Sequence, residues 1–171
     1  MILLSKEQTQ KTRWLLLITG TLVTFAFWFP LEDPINIPKM FVLLTFAAWL
    51  LGSTLVSVFY HRSHTFSPGQ WALLAFCAGL IIAGILTDVR YTAFFGASHR
   101  NTGVLSYLAL AILMVVAMVS FEQRDIHQLR FALLIVGGLS TVYGILQTSG
   151  NDPFNWHALY NPVFGTVGNP D

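Results

Sequence analysis

Five apolar runs divide the chain: Trp14–Phe29, Met40–Phe59, Trp71–Thr87, Val104–Ser120 and Phe131–Leu146. Within each run the apolar residues are continuous instead of recurring at an amphipathic period. None shows the polar-in, apolar-out alternation of a membrane β-strand. The second run has the length that crosses the hydrocarbon as a helix. The others are slightly shorter, and Trp14, Trp71 and Tyr107 suit the interfaces that would flank them. The pattern predicts an all-α fold: a polytopic transmembrane helical bundle of about five spans. These form one transmembrane domain over residues 1–171, with an external tail at residues 147–171.

Composition excludes a soluble domain. Hydrophobic residues make up 54% of the chain and charged residues 10%, against about 25% charged in soluble domains; the mean hydropathy is +0.63. The net charge of +1 comes without any basic cluster, so nucleic acid is not an expected partner and membrane lipid is. Lys6, Lys11 and Arg13 precede the first run as in a signal peptide. That run ends in Phe-Trp-Phe-Pro, not in a small-residue cleavage site, and so predicts an uncleaved anchor. Cys77 is the single cysteine and reads as a small buried hydrophobe. In the third run Ala75, Gly79 and Ala83 form a stripe of small residues, which predicts close helix packing.

Lys and Arg placement orients the bundle. With the N-terminus cytoplasmic, Lys6, Lys11, Arg13, Arg62, Arg124 and Arg130 lie inside, and Lys39, Arg90 and Arg100 lie outside. The opposite orientation reverses that bias. The predicted topology is therefore a membrane crossed several times, with the C-terminal tail outside.

The outward cations are the candidate chemistry. Arg90 and Arg100 are ten residues apart and share no helix face, but a bent loop could converge them. Arg100 precedes the fourth run, where Asn101 or Thr102 is the expected helix cap. A cation there opposes the helix dipole unless an anion binds, and guanidinium plus free backbone N–H groups suit phosphate oxygens. Gly96 and Gly103 would allow a close backbone approach. An interface-snorkelling arginine with no ligand is the alternative, and Asp88 could simply pair with Arg90. His99 and His157 are weaker candidates, as a base, a phosphate contact or plain loop imidazoles. His61 and His64 are three residues apart but lack a third ligand, so no metal site is expected. No paired carboxylates, nucleophile elbow or phosphate loop is present.

Three stretches resemble the N-terminal half of the O-antigen ligase/polymerase family of bacterial polytopic membrane proteins: NIPKMFVLL, FFGASHRNTGVLSYL, and ILQTSGNDPFNW followed by NPVFGTVGNPD. The second is similar to the family's G-x-x-x-R-x-x-G-x-L-x-Y pattern, here Gly96, Arg100, Gly103, Leu105 and Tyr107. The last resembles its G-T-x-G-N-P-[ND] segment, here Gly165 to Asp171, which makes Asn169 a further weak candidate. The resemblance implies a larger, glycosyltransferase-C-like membrane fold in the bacterial inner membrane. It implies transfer of a glycan from a polyprenyl-diphosphate carrier to an acceptor hydroxyl on a glycan, lipid or protein at the outer face. Outward arginines would hold the diphosphate leaving group, with Lys39 assisting, and the resemblance implies no metal or other cofactor.

Two departures bear on that reading. Relatives often carry an arginine just before the last segment, where this chain has Asn161, Pro162, Val163 and Phe164. Relatives also have further spans and a large external loop bearing a histidine base, so the chain is expected to be a truncated member. A transport-associated subunit and a non-catalytic assembly module are the alternatives. The apolar runs hold no Asp, Glu, Lys, Arg or His at their centres, which counts against an ion pathway.

Overall fold

A computed structural model describes residues 6–61, 67–97 and 100–154. Among these, all regular structure is helical: α1 Lys6–Phe25, α2 Asn36–His61, α3 Pro68–Leu86, a short α4 Arg90–Phe95, α5 Val104–Ser120, a 3-10 turn Gln123–Asp125, and α6 Ile126–Thr148. Among the described residues, three helices are long and apolar enough to cross a membrane: residues 36–56 of α2, then α3 and α6. Apolar α5 is shorter. The chain thus has the build of a helical membrane protein.

Local signals set the boundaries. The first apolar run reaches Phe29, but α1 stops at Phe25. Pro30 disfavours helical geometry at Phe29, and the chain turns instead, with Trp28 N–H donating to the Pro34 carbonyl at 2.7 Å and Leu31 N–H to that of Trp28 at 3.2 Å. Helix α2 begins four residues before its apolar run because Asp33 caps it. Asp33 Oδ1 accepts from the backbone N–H groups of Ile35 (3.2 Å) and Asn36 (2.8 Å), and Oδ2 accepts from Asn36 Nδ2 at 3.1 Å. Helix α3 starts on Pro68 behind a reciprocal cap. Ser67 Oγ accepts from Gln70 N–H at 3.3 Å, and Gln70 Oε1 accepts from Ser67 N–H at 2.9 Å. Threonine hydroxyls inside α1 donate to the carbonyl four residues back, as in Thr19 to Leu15 at 2.6 Å, which satisfies them without a partner helix.

Helices α1, α2 and α5 pack on one another and form the centre, α3 joins through α5, and α6 joins through α1. The core is Leu43, Ala47 and Ala109, flanked by Val23, Leu44, Ile112 and Leu113. Ala47 and Ala109 are each 2% exposed, and their small side chains let α2 and α5 approach closely. The predicted stripe of Ala75, Gly79 and Ala83 does not take this role. All three are exposed, and nothing in the described chain lies within 4 Å of where a Gly79 Cβ would stand. The packed face of α3 carries Gly84, which is buried against Phe94 and Val104. Cys77 is half-buried, not enclosed.

An ion pair fastens one end of the bundle. Arg13 Nη1 contacts Asp125 Oδ1, with the side chains 12% and 7% exposed. Arg13 lies in α1 and Asp125 in the turn between α5 and α6, so both reach the same end of the helices. At the other end lie the α1–α2 loop, α4 with its flanking loops, and the end of α6.

Candidate functional site at one end of the bundle

The segment between α3 and α5 is folded back on itself. Helix α4 stacks Tyr91 on Phe95, with ring centroids 4.9 Å apart, and sets Phe94 against Gly84. The chain then reverses through Gly96, at φ +90, and Asn101, at φ +51, a left-handed backbone that glycine and asparagine tolerate best. Gly103 is buried, and a Cβ there would overlap the Phe94 carbonyl oxygen and the Gly96 nitrogen.

This corrects the expected cap of the loop and keeps the expected close backbone approach at its two glycines. The cap of α5 is Gly103 and no side chain serves it; Asn101 contributes its carbonyl, which accepts from Ser106 Oγ at 2.6 Å. The two glycines bring backbone against backbone, so the 94–96 segment closes over the start of α5.

Of the predicted site residues, Lys39 is the fourth residue of α2, Arg90 opens α4, and the N–H of Arg100 donates to the Ala97 carbonyl at 3.1 Å. Arg90 and Arg100 are exposed. No ion pair joins Asp88 to Arg90 among the described residues. His99, His157 and Asn169 lie outside those residues, as do His64 and the tail beyond residue 154. No three His, Cys, Asp or Glu side chains converge among the described residues in a way that could hold a metal.

A half-open cleft of about 300 Å³ joins these segments. The end of the α1–α2 loop and the start of α2 supply Glu32, Asp33 and Ile37. Helix α4 supplies Tyr91, Thr92 and Phe95, and the loop after it supplies Gly96 and Asn101. Ile37, Tyr91 and Asn101 each stand within two residues of Lys39, Arg90 and Arg100 respectively, so the three cations come from segments that meet around one cleft. The cleft itself presents carboxylates, which sequence reading overlooked. Asp33 is 7% exposed and engaged in capping α2, and its charge acts on Lys39. Glu32 is exposed. The Asp33-Pro34 step before Asn36 is the signal that a cap stood there.

At the same end, Gln147 Nε2 donates to Asp152 Oδ2 at 2.8 Å, and Tyr143 OH donates to Asp152 Oδ1 at 3.2 Å. Asp152 Oδ1 also accepts from Phe154 N–H at 2.9 Å. Phe154 then packs on Phe27 and Phe29, with centroids 5.0 and 5.5 Å apart. Residues 149–154 are thereby turned back over the α1–α2 loop, a closure that the polar spacing of Tyr143, Gln147 and Asp152 along the chain could have suggested.

The fold defines a helical membrane protein with a mixed acidic and aromatic cleft at one end, ringed in sequence by three cations. Among known protein families, curated proteins and solved structures, none matches the chain.

Proposed function

We propose that the chain is part of an O-antigen ligase-like enzyme of the bacterial inner membrane, with the cleft end facing outward and the N-terminus in the cytoplasm. In this reading it binds a polyprenyl-diphosphate-linked glycan for transfer to an acceptor hydroxyl. The observation that supports it is the meeting of the segments bearing Lys39, Arg90 and Arg100 around one cleft. Three cations drawn from separate stretches suit a ligand with two adjacent phosphates. Arginine in particular offers a fork of donors matched to phosphate oxygens. As the anomeric C–O bond breaks, negative charge accumulates on the diphosphate, and cations fixed beside it stabilise the transition state. A base must take the proton of the attacking hydroxyl; the histidines considered for that part, His99 and His157, lie outside the described residues.

The test is equilibrium binding of farnesyl diphosphate to the full chain in nanodiscs. Arg100→Gln should weaken it roughly tenfold at low salt, and the difference should shrink at moderate salt, because Arg100 is exposed and its charge is screened. Equal binding by wild type and variant at both salt concentrations overturns the diphosphate role.

A further inference from the structure

The geometry points to a second subsite, in which the cleft between Glu32 and Tyr91 holds the first sugar ring of the lipid-linked glycan. This rests on the proposal of a diphosphate-linked ligand and assigns the part of it that the cations do not reach. Among the described residues, the cleft lining carries Glu32 and Asp33 and no Lys or Arg. Two carboxylates repel a phosphate, so the anionic part of the ligand belongs to the flanking cations and a neutral part belongs here.

The lining matches a pyranose in chemistry. Tyr91 is 75% exposed, and since it stacks on Phe95 through one face, the ring has a second face to offer. The C–H face of a sugar ring carries small positive partial charges, complementary to the negative face of an aromatic ring. The sugar's hydroxyl rim needs acceptors, and a carboxylate such as Glu32 makes stronger, charge-assisted hydrogen bonds than a neutral group. The hydroxyl of Thr92 and the amide of Asn101 add donors on the same cleft. A volume of about 300 Å³ is at the small end of ligand sites; it suits a sugar ring and not a polyprenyl chain. Tyr91 directly follows Arg90 and Asn101 directly follows Arg100, so a sugar in the cleft lies next to the segments proposed for its diphosphate.

The experiment compares farnesyl diphosphate with the same lipid bearing one glucosyl, galactosyl or N-acetylglucosaminyl unit on the terminal phosphate, each titrated into the full chain in nanodiscs. At least one sugar-bearing lipid should bind roughly fivefold tighter than farnesyl diphosphate. Tyr91→Ala and Glu32→Gln should each remove most of that ratio; Tyr91→Ala should leave the affinity for farnesyl diphosphate unchanged, Glu32→Gln should raise it slightly by removing a carboxylate near the phosphates, and Tyr91→Phe should keep the ratio. The inference is overturned if no sugar improves binding to the wild type, if the ratio survives both substitutions, or if Tyr91→Ala weakens all the lipids equally. Loss of the diphosphate reading registers separately, as a wild-type affinity for farnesyl diphosphate that Arg100→Gln does not change.

Discussion

Asp125→Ala should destabilise the folded bundle by about 3 kcal/mol or more, because it strands the Arg13 guanidinium in a nearly closed environment. Arg13 is 12% exposed on its side chain, and its Nε already has no hydrogen-bond partner among the described residues. Removing the carboxylate therefore takes away the one ionic contact this group has among the described residues. Arg13→Met combined with Asp125→Leu should recover most of the loss, since an apolar pair of similar size needs no compensating charge. Unfolding in detergent, followed by circular dichroism against added dodecyl sulfate, reads both variants. An Asp125→Ala midpoint equal to that of the wild type would show that the pair contributes nothing to holding α1 against the α5–α6 turn.

Gly103→Ala should cost about 3 kcal/mol, at the upper end of overpacking effects. The atoms a Cβ would strike, the Phe94 oxygen and the Gly96 nitrogen, are backbone and cannot rotate aside as a flexible side chain can. The loop has to open, and with it the contact between Phe94 and Gly84. Gly79→Ala is the matched control: its Cβ would meet nothing within 4 Å in the described chain, and alanine favours a helix more than glycine does. The control should show no loss. Equal behaviour of the two variants in the same unfolding measurement would contradict the close packing of the reversed loop.

The helices were legible where the chain states its own boundaries. Helix α5 has the predicted limits, Val104 to Ser120, because Gly103 and the polar Glu122 bracket an uninterrupted apolar run. Helices α2 and α6 extend beyond their apolar cores, since hydropathy marks where lipid would be and not where hydrogen bonding stops. The Asp33 cap begins α2 at Asn36, and the Gln123–Asp125 turn begins α6 at Ile126. Helix α4 was not legible: six residues do not sustain a helix by propensity, and Arg90–Phe95 is held by the seat of Phe94 on α3.

The site divides in the same way. Charge bias pointed to Lys39, Arg90 and Arg100 without reference to shape. Glu32 and Tyr91 carry no signal in the sequence, because their meaning depends on a contact between segments far apart in the chain. The stripe of Ala75, Gly79 and Ala83 misled for the complementary reason. Helical spacing tells which residues share a face, but not which face a neighbour covers. Here Gly84 faces α4 and α5 while the stripe is exposed.

Photo-crosslinking reads out whether a polyprenyl diphosphate binds at the end of the bundle carrying α4. A prenyl diphosphate bearing a diazirine next to the diphosphate is activated on the full chain in nanodiscs, and the adducts are mapped by mass spectrometry. Adducts are expected in the segments around Lys39 and from Arg90 to Gly103, suppressed by excess inorganic diphosphate. Adducts confined to the opposite end, around the Gln123–Asp125 turn, or labelling that inorganic diphosphate does not suppress, would contradict binding at the α4 end.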